Sequence, residues 1–158
     1  NKLIDDIKKD PYGRRKVVSL WQENDLRETA GLAPCAYNTI WNVRGKYLDM
    51  VLIQRSGDML TASGAGGVNE VQYAALLMMI ARHTGYEPGV FTHFVANEQI
   101  YDKEMLKRVE NLKNSDIQSK PMLKLNPEKT NFYDMTIEDF SMENYDPIVP
   151  QLKLELGI

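Results

Sequence analysis

Two runs of residues joined by a short glycine-containing turn constrain the fold of this chain more than any other feature. The first run, residues 37 to 43, alternates, so that four side chains share one face of a predicted strand: Tyr37, Thr39, Trp41 and Val43. Arg44-Gly45-Lys46 follows as a turn, and residues 47 to 53 form a second strand that leads back to Gln54-Arg55-Ser56. Because a hairpin needs further partners to be stable in water, the sequence predicts a substantial sheet.

Residues 68 to 84 are apolar nearly all round and are followed by Gly85, which predicts a buried helix with a glycine cap. Apolar spacing also predicts helices over Leu3 to Lys9 and Lys103 to Lys113. Further strands are predicted at Val17 to Trp21 (buried), Val90 to Val95, Met122 to Leu125, Tyr133 to Ile137 and Leu152 to Leu156. We therefore expect residues 1–158 to form a single α/β (α+β) domain with a mixed sheet packed against helices.

Composition excludes several functional classes. A hydrophobic share of 43% and a charged share of 26% are typical of a globular domain, and a net charge of −3 argues against a general nucleic-acid binder. No apolar run approaches the roughly 18 to 20 residues that span a bilayer, so no membrane association is expected. A single cysteine rules out an intrachain disulfide and indicates a reduced, cytoplasmic setting. One cysteine and two scattered histidines predict no metal site.

Three local features carry possible chemistry, and each also has an ordinary interpretation. Cys35 precedes a strand, where a lone cysteine is more often a packed residue than a nucleophile. Arg55 and Ser56 lie at a strand end and can hold a phosphate, although a surface salt bridge is the commoner role of such an arginine. Arg14 and Arg15 alone would be a solvated charge pair.

The order of these features along the chain is more specific than any one of them. The motifs are Pro11-Tyr12-Gly13-Arg14-Arg15, Pro34-Cys35, Gln54-Arg55-Ser56 with Asp58, Asn69 with Tyr73, Ile100-Tyr101 and Phe132-Tyr133-Asp134. Together they resemble the thymidylate synthase family over almost the whole chain. They match roughly the last three-fifths of a typical member, so we expect the C-terminal, nucleophile-bearing part of a longer chain. The resemblance implies a sheet face at a homodimer interface.

The resemblance also implies a reaction: reductive methylation of dUMP to dTMP with 5,10-methylenetetrahydrofolate, started by addition of the Cys35 thiolate to pyrimidine C6. Arg55 is the second implied catalytic residue, because a neighbouring guanidinium favours the thiolate. The implied dUMP-binding residues are Arg14, Arg15, Gln54, Arg55, Ser56, Asp58, Asn69, Gln99 and Tyr101. Asp58 and Gly157 would contact the folate, and Arg14 and Arg15 would act in trans across the homodimer. An amide at Asn69 suits uracil, whereas related deoxycytidylate hydroxymethylases are expected to carry Asp there.

The chain departs from the family pattern at several positions. Ala36 follows the cysteine where many members have His, and Gln99 replaces a usual His. Residues 61 to 68 read TASGAGGV in place of a Leu-Gly-x-Pro-Phe-Asn segment, and structural roles are expected for His83 and His93. Two alternatives remain open: a pyrimidine nucleotide hydroxymethylase of the same fold, and a catalytically silent nucleotide-binding homologue. Because family residues from the N-terminal part are not found here, we expect little or no turnover from these 158 residues alone.

Overall fold

The structure, a computed structural model, describes residues 2–28, 31, 33–63, 67–101, 103–114 and 119–146. The helices are α1 (Lys2–Lys9), α2 (Glu23–Glu28), α3 (Val68–Thr84) and α4 (Lys103–Lys113). The strands are β1 (Val17–Ser19), β2 (Ala36–Arg44), β3 (Tyr47–Gln54), β4 (Gly57–Asp58), β5 (Glu87–Val95), β6 (Glu98–Gln99), β7 (Met122–Leu125) and β8 (Phe140–Glu143). Two short 3-10 helices, Phe132–Asp134 and Ile137–Asp139, precede β8.

The main sheet has the strand order β1-β2-β3-β5 and is mixed, as the sequence predicts. The predicted hairpin is confirmed: β2 and β3 are antiparallel and turn at Gly45, where φ is 60°. β5 pairs parallel to β3, and α3 makes the crossover between them. Two small sheets, β4-β6 and β7-β8, complete the described strands. β4 and β6 are parallel to each other, and they follow β3 and β5 respectively along the chain.

The hydrophobic core lies between one face of the main sheet and the helices α1 and α3. Alternate residues of β2 and β3 point into it, because successive side chains of a strand face opposite ways. Its buried members are Ile4, Ile7, Trp41, Leu48, Met50, Leu52, Tyr73, Leu77, Ile80 and Ala81. α3 ends at Gly85, whose φ of 83° is the left-handed conformation that a glycine cap supplies, so the predicted helix end is confirmed. No described helix is long and apolar enough to cross a bilayer.

Several sequence predictions are wrong or fall outside the described residues. The predicted strand Tyr133 to Ile137 is replaced by the two 3-10 helices, because the Asn131 side chain caps the first and the Asp139 carboxylate accepts from the Thr136 amide at the start of the second. β1 is shorter than predicted and not buried, since it is an edge strand whose Val17 is 51% exposed. α3 is not buried all round, because Val68 and Val71 near its start are 57% and 42% exposed. The predicted strand 152–156 lies outside the described residues.

Candidate active site

The hairpin brings Cys35 and Arg55 together. Cys35 immediately precedes β2 and Arg55 immediately follows β3, so antiparallel pairing sets the two residues side by side. The Arg55 amide donates to the Cys35 carbonyl at 2.9 Å, which fixes this end of the hairpin. The Cys35 side chain is exposed rather than packed in the core, and its thiol is therefore open to a ligand.

The Arg55 guanidinium is held beside the thiol by the chain that leads into Cys35. Its Nε donates to the Pro34 carbonyl at 3.0 Å and its Nη2 to the Ala33 carbonyl at 2.7 Å. Nη2 also lies 3.8 Å from Cys35 Sγ. Within the described residues Nη1 has no hydrogen-bond partner, so one edge of the fork can still receive an anion.

Gln54 connects the strand end to the start of α3. Its side chain is fully buried, and its Nε2 donates to the Ser56 carbonyl at 2.8 Å. Its Oε1 accepts from Asn69 Nδ2 at 3.1 Å, so the Asn69 amide is attached to the strand that carries Arg55. The Asn69 backbone amide donates to the Ala62 carbonyl at 2.9 Å and seats α3 on the loop before it. Gln54, Arg55 and Asn69 therefore meet at the C-terminal end of β3.

Asp58 organises the turn that follows β4. Its carboxylate accepts from the Leu60 amide at 3.0 Å, from the Thr61 amide at 3.2 Å and from the Thr61 hydroxyl. An ionised carboxylate offers about four lone-pair sites, so these three bonds leave one for a ligand. Asp58 also pairs with Gln99 across the parallel strands β4 and β6, and this pairing places Gln99 beside the turn.

Gln99 and Tyr101 lie at the end of this small sheet. Gln99 Nε2 donates to Asn97 Oδ1 at 2.5 Å, and Tyr101 is 44% exposed. Ser63 is fully buried and donates to Glu98 Oε1 at 2.5 Å, which joins the loop before α3 to β6. The unusual segment after residue 60 is thus tied to the strand that carries Gln99. Residues 64–66 of that segment, and Gly157, lie outside the described residues.

Arg14 and Arg15 do not reach this site within one chain. Both are exposed in the loop between α1 and β1, where they line a shallow pocket of about 530 Å³. The Lys16 carbonyl accepts from the Trp41 amide, so Arg15 lies beside the middle of β2, whereas Cys35 precedes that strand. At about 3.3 Å per residue, the six residues from Cys35 to Trp41 span roughly 20 Å. An arginine side chain cannot cover that distance.

A second shallow pocket adjoins Arg55 and contains residues that sequence reasoning did not assign to the site. It has a volume of about 400 Å³ and is lined by Ser19, Trp21, Tyr37, Asn38 and Arg55. Trp21 and Tyr37 pack edge to face with ring centroids 6.1 Å apart. Asn38 Oδ1 is buried and has no hydrogen-bond partner among the described residues. The alternation of β2 could have placed Asn38 on the sheet face opposite the core.

His93 was also assigned no role in the site, yet it contacts Gln54. Its Nε2 lies 3.0 Å from Gln54 Oε1, and its Nδ1 lies 2.8 Å from Glu70 Oε1. The contact depends on the pairing of Leu52 with His93 in adjacent parallel strands, which no local sequence signal specifies. The other histidine, His83, accepts a hydrogen bond from the Phe132 amide at 3.0 Å. In the described part of the chain, no group of three or more His, Cys, Asp or Glu residues could hold a metal ion.

Comparisons with known proteins decide the family. The family model described as Thymidylate synthase matches residues 1–158. The chain belongs to the thymidylate synthase family. The thymidylate synthase of Lactococcus lactis subsp. lactis is 45% identical over 99% of this chain and 57% of its own length. That of Streptococcus thermophilus (strain LMD-9) is also 45% identical, over 100% of this chain and 56% of its own length.

The fold comparison agrees with the family. The thermostable thymidylate synthase A from Bacillus subtilis superposes with a TM-score of 0.83 at 34% identity, covering 99% of this chain and 54% of that one. The thymidylate synthase fold expected from the motifs is therefore confirmed, with a mixed sheet packed against helices. The chain spans just over half the length of the thymidylate synthases it matches.

Proposed function

We propose that this thymidylate synthase family member takes part in the reductive methylation of dUMP to dTMP with 5,10-methylenetetrahydrofolate, as a methyltransferase of nucleotide biosynthesis. The observation that carries the proposal is the exposed Cys35 thiol with the Arg55 guanidinium 3.8 Å away. The family comparisons support the same reaction, because its members named above are thymidylate synthases. A reactive thiol must stay reduced, so we also propose a cytoplasmic location.

Cys35 would supply the nucleophile. Its thiolate forms a bond to C6 of the uracil ring, and the electron pair of the C5–C6 bond moves to C5, which becomes nucleophilic. The folate would supply both the one-carbon unit and the hydride, and would leave as dihydrofolate. C5 would bond to the methylene carbon of the folate, and loss of the C5 proton would then break the bond from that carbon to the folate nitrogen, which leaves an exocyclic methylene. Hydride from the tetrahydrofolate would add to this methylene as the Cys35 sulfur leaves C6, which restores the ring double bond. Covalent addition divides one difficult substitution into smaller steps.

Arg55 would have two roles. Its Nη2 holds the thiolate, while its Nη1 and the Ser56 hydroxyl would bind the nucleotide phosphate through charge-assisted hydrogen bonds. The two backbone carbonyls that fix the guanidinium support this role, because they hold it ready before the substrate arrives.

The remaining predicted residues would orient the two substrates. The Asn69 side-chain amide would form hydrogen bonds with O4 and N3 of the uracil. Its hydrogen bond to Gln54 would keep the amide in the required orientation. Gln99 and the exposed Tyr101 hydroxyl would bind the deoxyribose. The remaining lone pair of Asp58 would contact the folate ring, and Gly157 would belong to the tail that closes over the folate.

We propose a symmetric homodimer in which Arg14 and Arg15 bind the phosphate in the partner's site. Their separation of roughly 20 Å from Cys35 along the strand supports action in trans, because neither can serve its own chain's thiol. The sheet face opposite the core supports the interface: it carries Val90 and Phe94, which are more than half exposed. The buried, unpaired Asn38 Oδ1 lies on the same face, and a partner subunit would satisfy it.

The reaction is tested by incubating the full-length protein with dUMP and methylenetetrahydrofolate and weighing the product. We expect the mass of dTMP from the native protein and no product from Cys35→Ala. A product heavier by one oxygen would identify a hydroxymethylase instead. The absence of both products, together with reversible dUMP binding, would identify a silent homologue and contradict the proposal.

Action in trans is tested by complementation. Cys35→Ala lacks the nucleophile, and the double variant Arg14→Ala/Arg15→Ala lacks the donated arginines, so each homodimer should be nearly inactive. Mixing and reassociating them creates heterodimers with one intact site, and we expect activity to return toward roughly a quarter of the native level, for random reassociation into half heterodimers. If mixing restores nothing although heterodimers form, the arginines do not act across the interface.

A further inference from the structure

A buried hydrogen-bond network centred on Gln54 lies behind the proposed uracil-reading residue. Gln54 Oε1 is approached by two side chains, Asn69 Nδ2 at 3.1 Å and His93 Nε2 at 3.0 Å. On the other side of its amide group, Nε2 donates to the Ser56 carbonyl at 2.8 Å. The His93 side chain is only 11% exposed, so these contacts are shielded from water. The network joins β3, α3 and β5 at one point.

The donors and acceptors of this network can be assigned by elimination. A backbone carbonyl only accepts, so the Gln54 amide nitrogen must face Ser56, and its oxygen must face Asn69 and His93. Both of these neighbours must then present N–H groups to that oxygen. Asn69 consequently turns its amide nitrogen toward Gln54, and His93 carries a hydrogen on Nε2. The hydrogen bond to buried Gln54 therefore fixes the orientation of the Asn69 amide.

Glu70 completes the arrangement from the next residue of α3. Its Oε1 lies 2.8 Å from His93 Nδ1, a distance at which a hydrogen must lie between the two atoms. The pair thus keeps the imidazole in the orientation that presents Nε2–H to Gln54.

We propose that His93, held by Glu70, is a positioning residue that sets base specificity by fixing the Asn69 amide through Gln54. The inference rests on the proposed function, in which Asn69 reads the base. With one N–H of Asn69 bound to Gln54, its second N–H and its oxygen remain for the pyrimidine. That donor and acceptor match O4 and N3–H of uracil, whereas cytosine offers the reverse pair. Loss of the Nε2–H donor leaves Gln54 with one fewer anchor and allows the Asn69 amide to rotate.

Two amide variants of His93 separate this role from a packing role. In His93→Gln the amide nitrogen falls near the position of Nε2 and can still donate to Gln54. In His93→Asn it falls near the position of Nδ1, so it keeps the contact with Glu70 and loses the one with Gln54. Both variants place a neutral amide in the same cavity. A general packing defect would therefore affect them alike.

The measurement is the equilibrium binding of dUMP, dCMP and deoxyribose 5-phosphate to the full-length protein, by calorimetry. One lost hydrogen bond corresponds to roughly a fivefold to tenfold change in an equilibrium constant. We expect His93→Asn to reduce the preference for dUMP over dCMP by about that factor, and His93→Gln to keep it within about twofold. Deoxyribose 5-phosphate has no base, so both variants should bind it like the native protein. Equal dUMP preference in the two variants would overturn the inference.

A third variant keeps failure of this inference distinct from failure of the proposed function. Asn69→Asp replaces the reading amide itself and should change the ratio of dUMP to dCMP affinity. If it does so while His93→Asn does not, the positioning role is wrong and the role of Asn69 stands. If Asn69→Asp leaves the ratio unchanged, Asn69 does not read the base, and both proposals fail at that residue. Should His93→Asn not fold, Gln54→Leu removes the same link and must reduce the dUMP preference at least as much.

Discussion

Replacement of Arg55 by lysine changes the position of one positive charge without removing it. The native guanidinium donates to the carbonyls of Pro34 and Ala33 and lies 3.8 Å from Cys35 Sγ. An ammonium group is a single point with no planar fork, so it cannot keep all three contacts. We therefore expect Arg55→Lys to slow the attack by Cys35 more than it destabilises the fold.

The size of the effect follows from the distance between the charges. Two unit charges 3.8 Å apart interact by about 1 kcal/mol in bulk water and by about 4 kcal/mol at an effective dielectric constant of 20. These values correspond to roughly sixfold and a thousandfold in rate if the whole interaction is lost. Both side chains are exposed, which favours the lower part of the range. We expect a loss of roughly tenfold.

The assay is the single-turnover rate of covalent addition of dUMP, or its 5-fluoro analogue, to the full-length protein. Arg44→Lys is the matched control, because Arg44 is also an exposed arginine at a strand end, pairs with Asp49 at 3.0 Å, and lies at the opposite end of the hairpin. The control should react at the native rate, and both variants should unfold within a few degrees of the native protein. A native reaction rate in Arg55→Lys would show that the guanidinium does not activate the thiol.

Two further predictions concern the scaffold. Leu52 is fully buried in the core, so Leu52→Ala should lower the free energy of unfolding in urea by roughly 2 to 5 kcal/mol; a loss below about 1 kcal/mol would contradict the described packing. Burial alone would raise the pKa of Asp49, but the Arg44 guanidinium and the Val90 amide hold the pKa below its usual range. The resulting stability is complete above the unfolded pKa of about 3.9 and is lost as the pH falls through the lower folded pKa. Asp49→Asn should therefore flatten the loss of stability on acidification below pH 4, and an unchanged pH profile would argue against the ion pair.

The contact between Cys35 and Arg55 could be predicted from the sequence, since it follows from local geometry. Alternating residues and a glycine turn specify the hairpin, and antiparallel pairing sets the residue before the first strand beside the residue after the second. The helix from 68 to 84 was equally clear, because apolar spacing and Gly85 mark its extent. Local periodicity and turn chemistry were sufficient for both.

Contacts that depend on parallel pairing were not predictable in the same way. His93 meets Gln54 only because β5 pairs with β3 after the α3 crossover, and that register depends on the whole packed sheet. The turn held by Asp58 and the small β4-β6 sheet were missed for a similar reason: two-residue strands leave no periodicity to detect. Asp58, which the family resemblance implies is a substrate-binding residue, therefore also stabilises its own turn through hydrogen bonds to Leu60 and Thr61.

Burial was the least reliable prediction. Val17 and Trp21 are the first and last residues of the strand predicted to be buried, yet they are 51% and 39% exposed. Apolar character indicates that a residue can be buried, but not by which element or subunit. The error near residue 135 had a different origin, because Asn131 and Asp139, whose side chains accept from backbone amides of the two 3-10 helices, were present in the sequence and were outweighed by aromatic and β-branched neighbours.

The proposed nucleophile can be identified by mass spectrometry of the protein after incubation with 5-fluoro-dUMP and methylenetetrahydrofolate. Replacement of the C5 hydrogen by fluorine blocks the step that removes that proton, so the covalent complex should accumulate. We expect the full-length native protein to gain the mass of both compounds, with the modified peptide carrying the adduct on Cys35, and Cys35→Ser to gain none. A native protein that binds both compounds and shows no added mass at Cys35 would contradict the assignment of this thiol as the nucleophile.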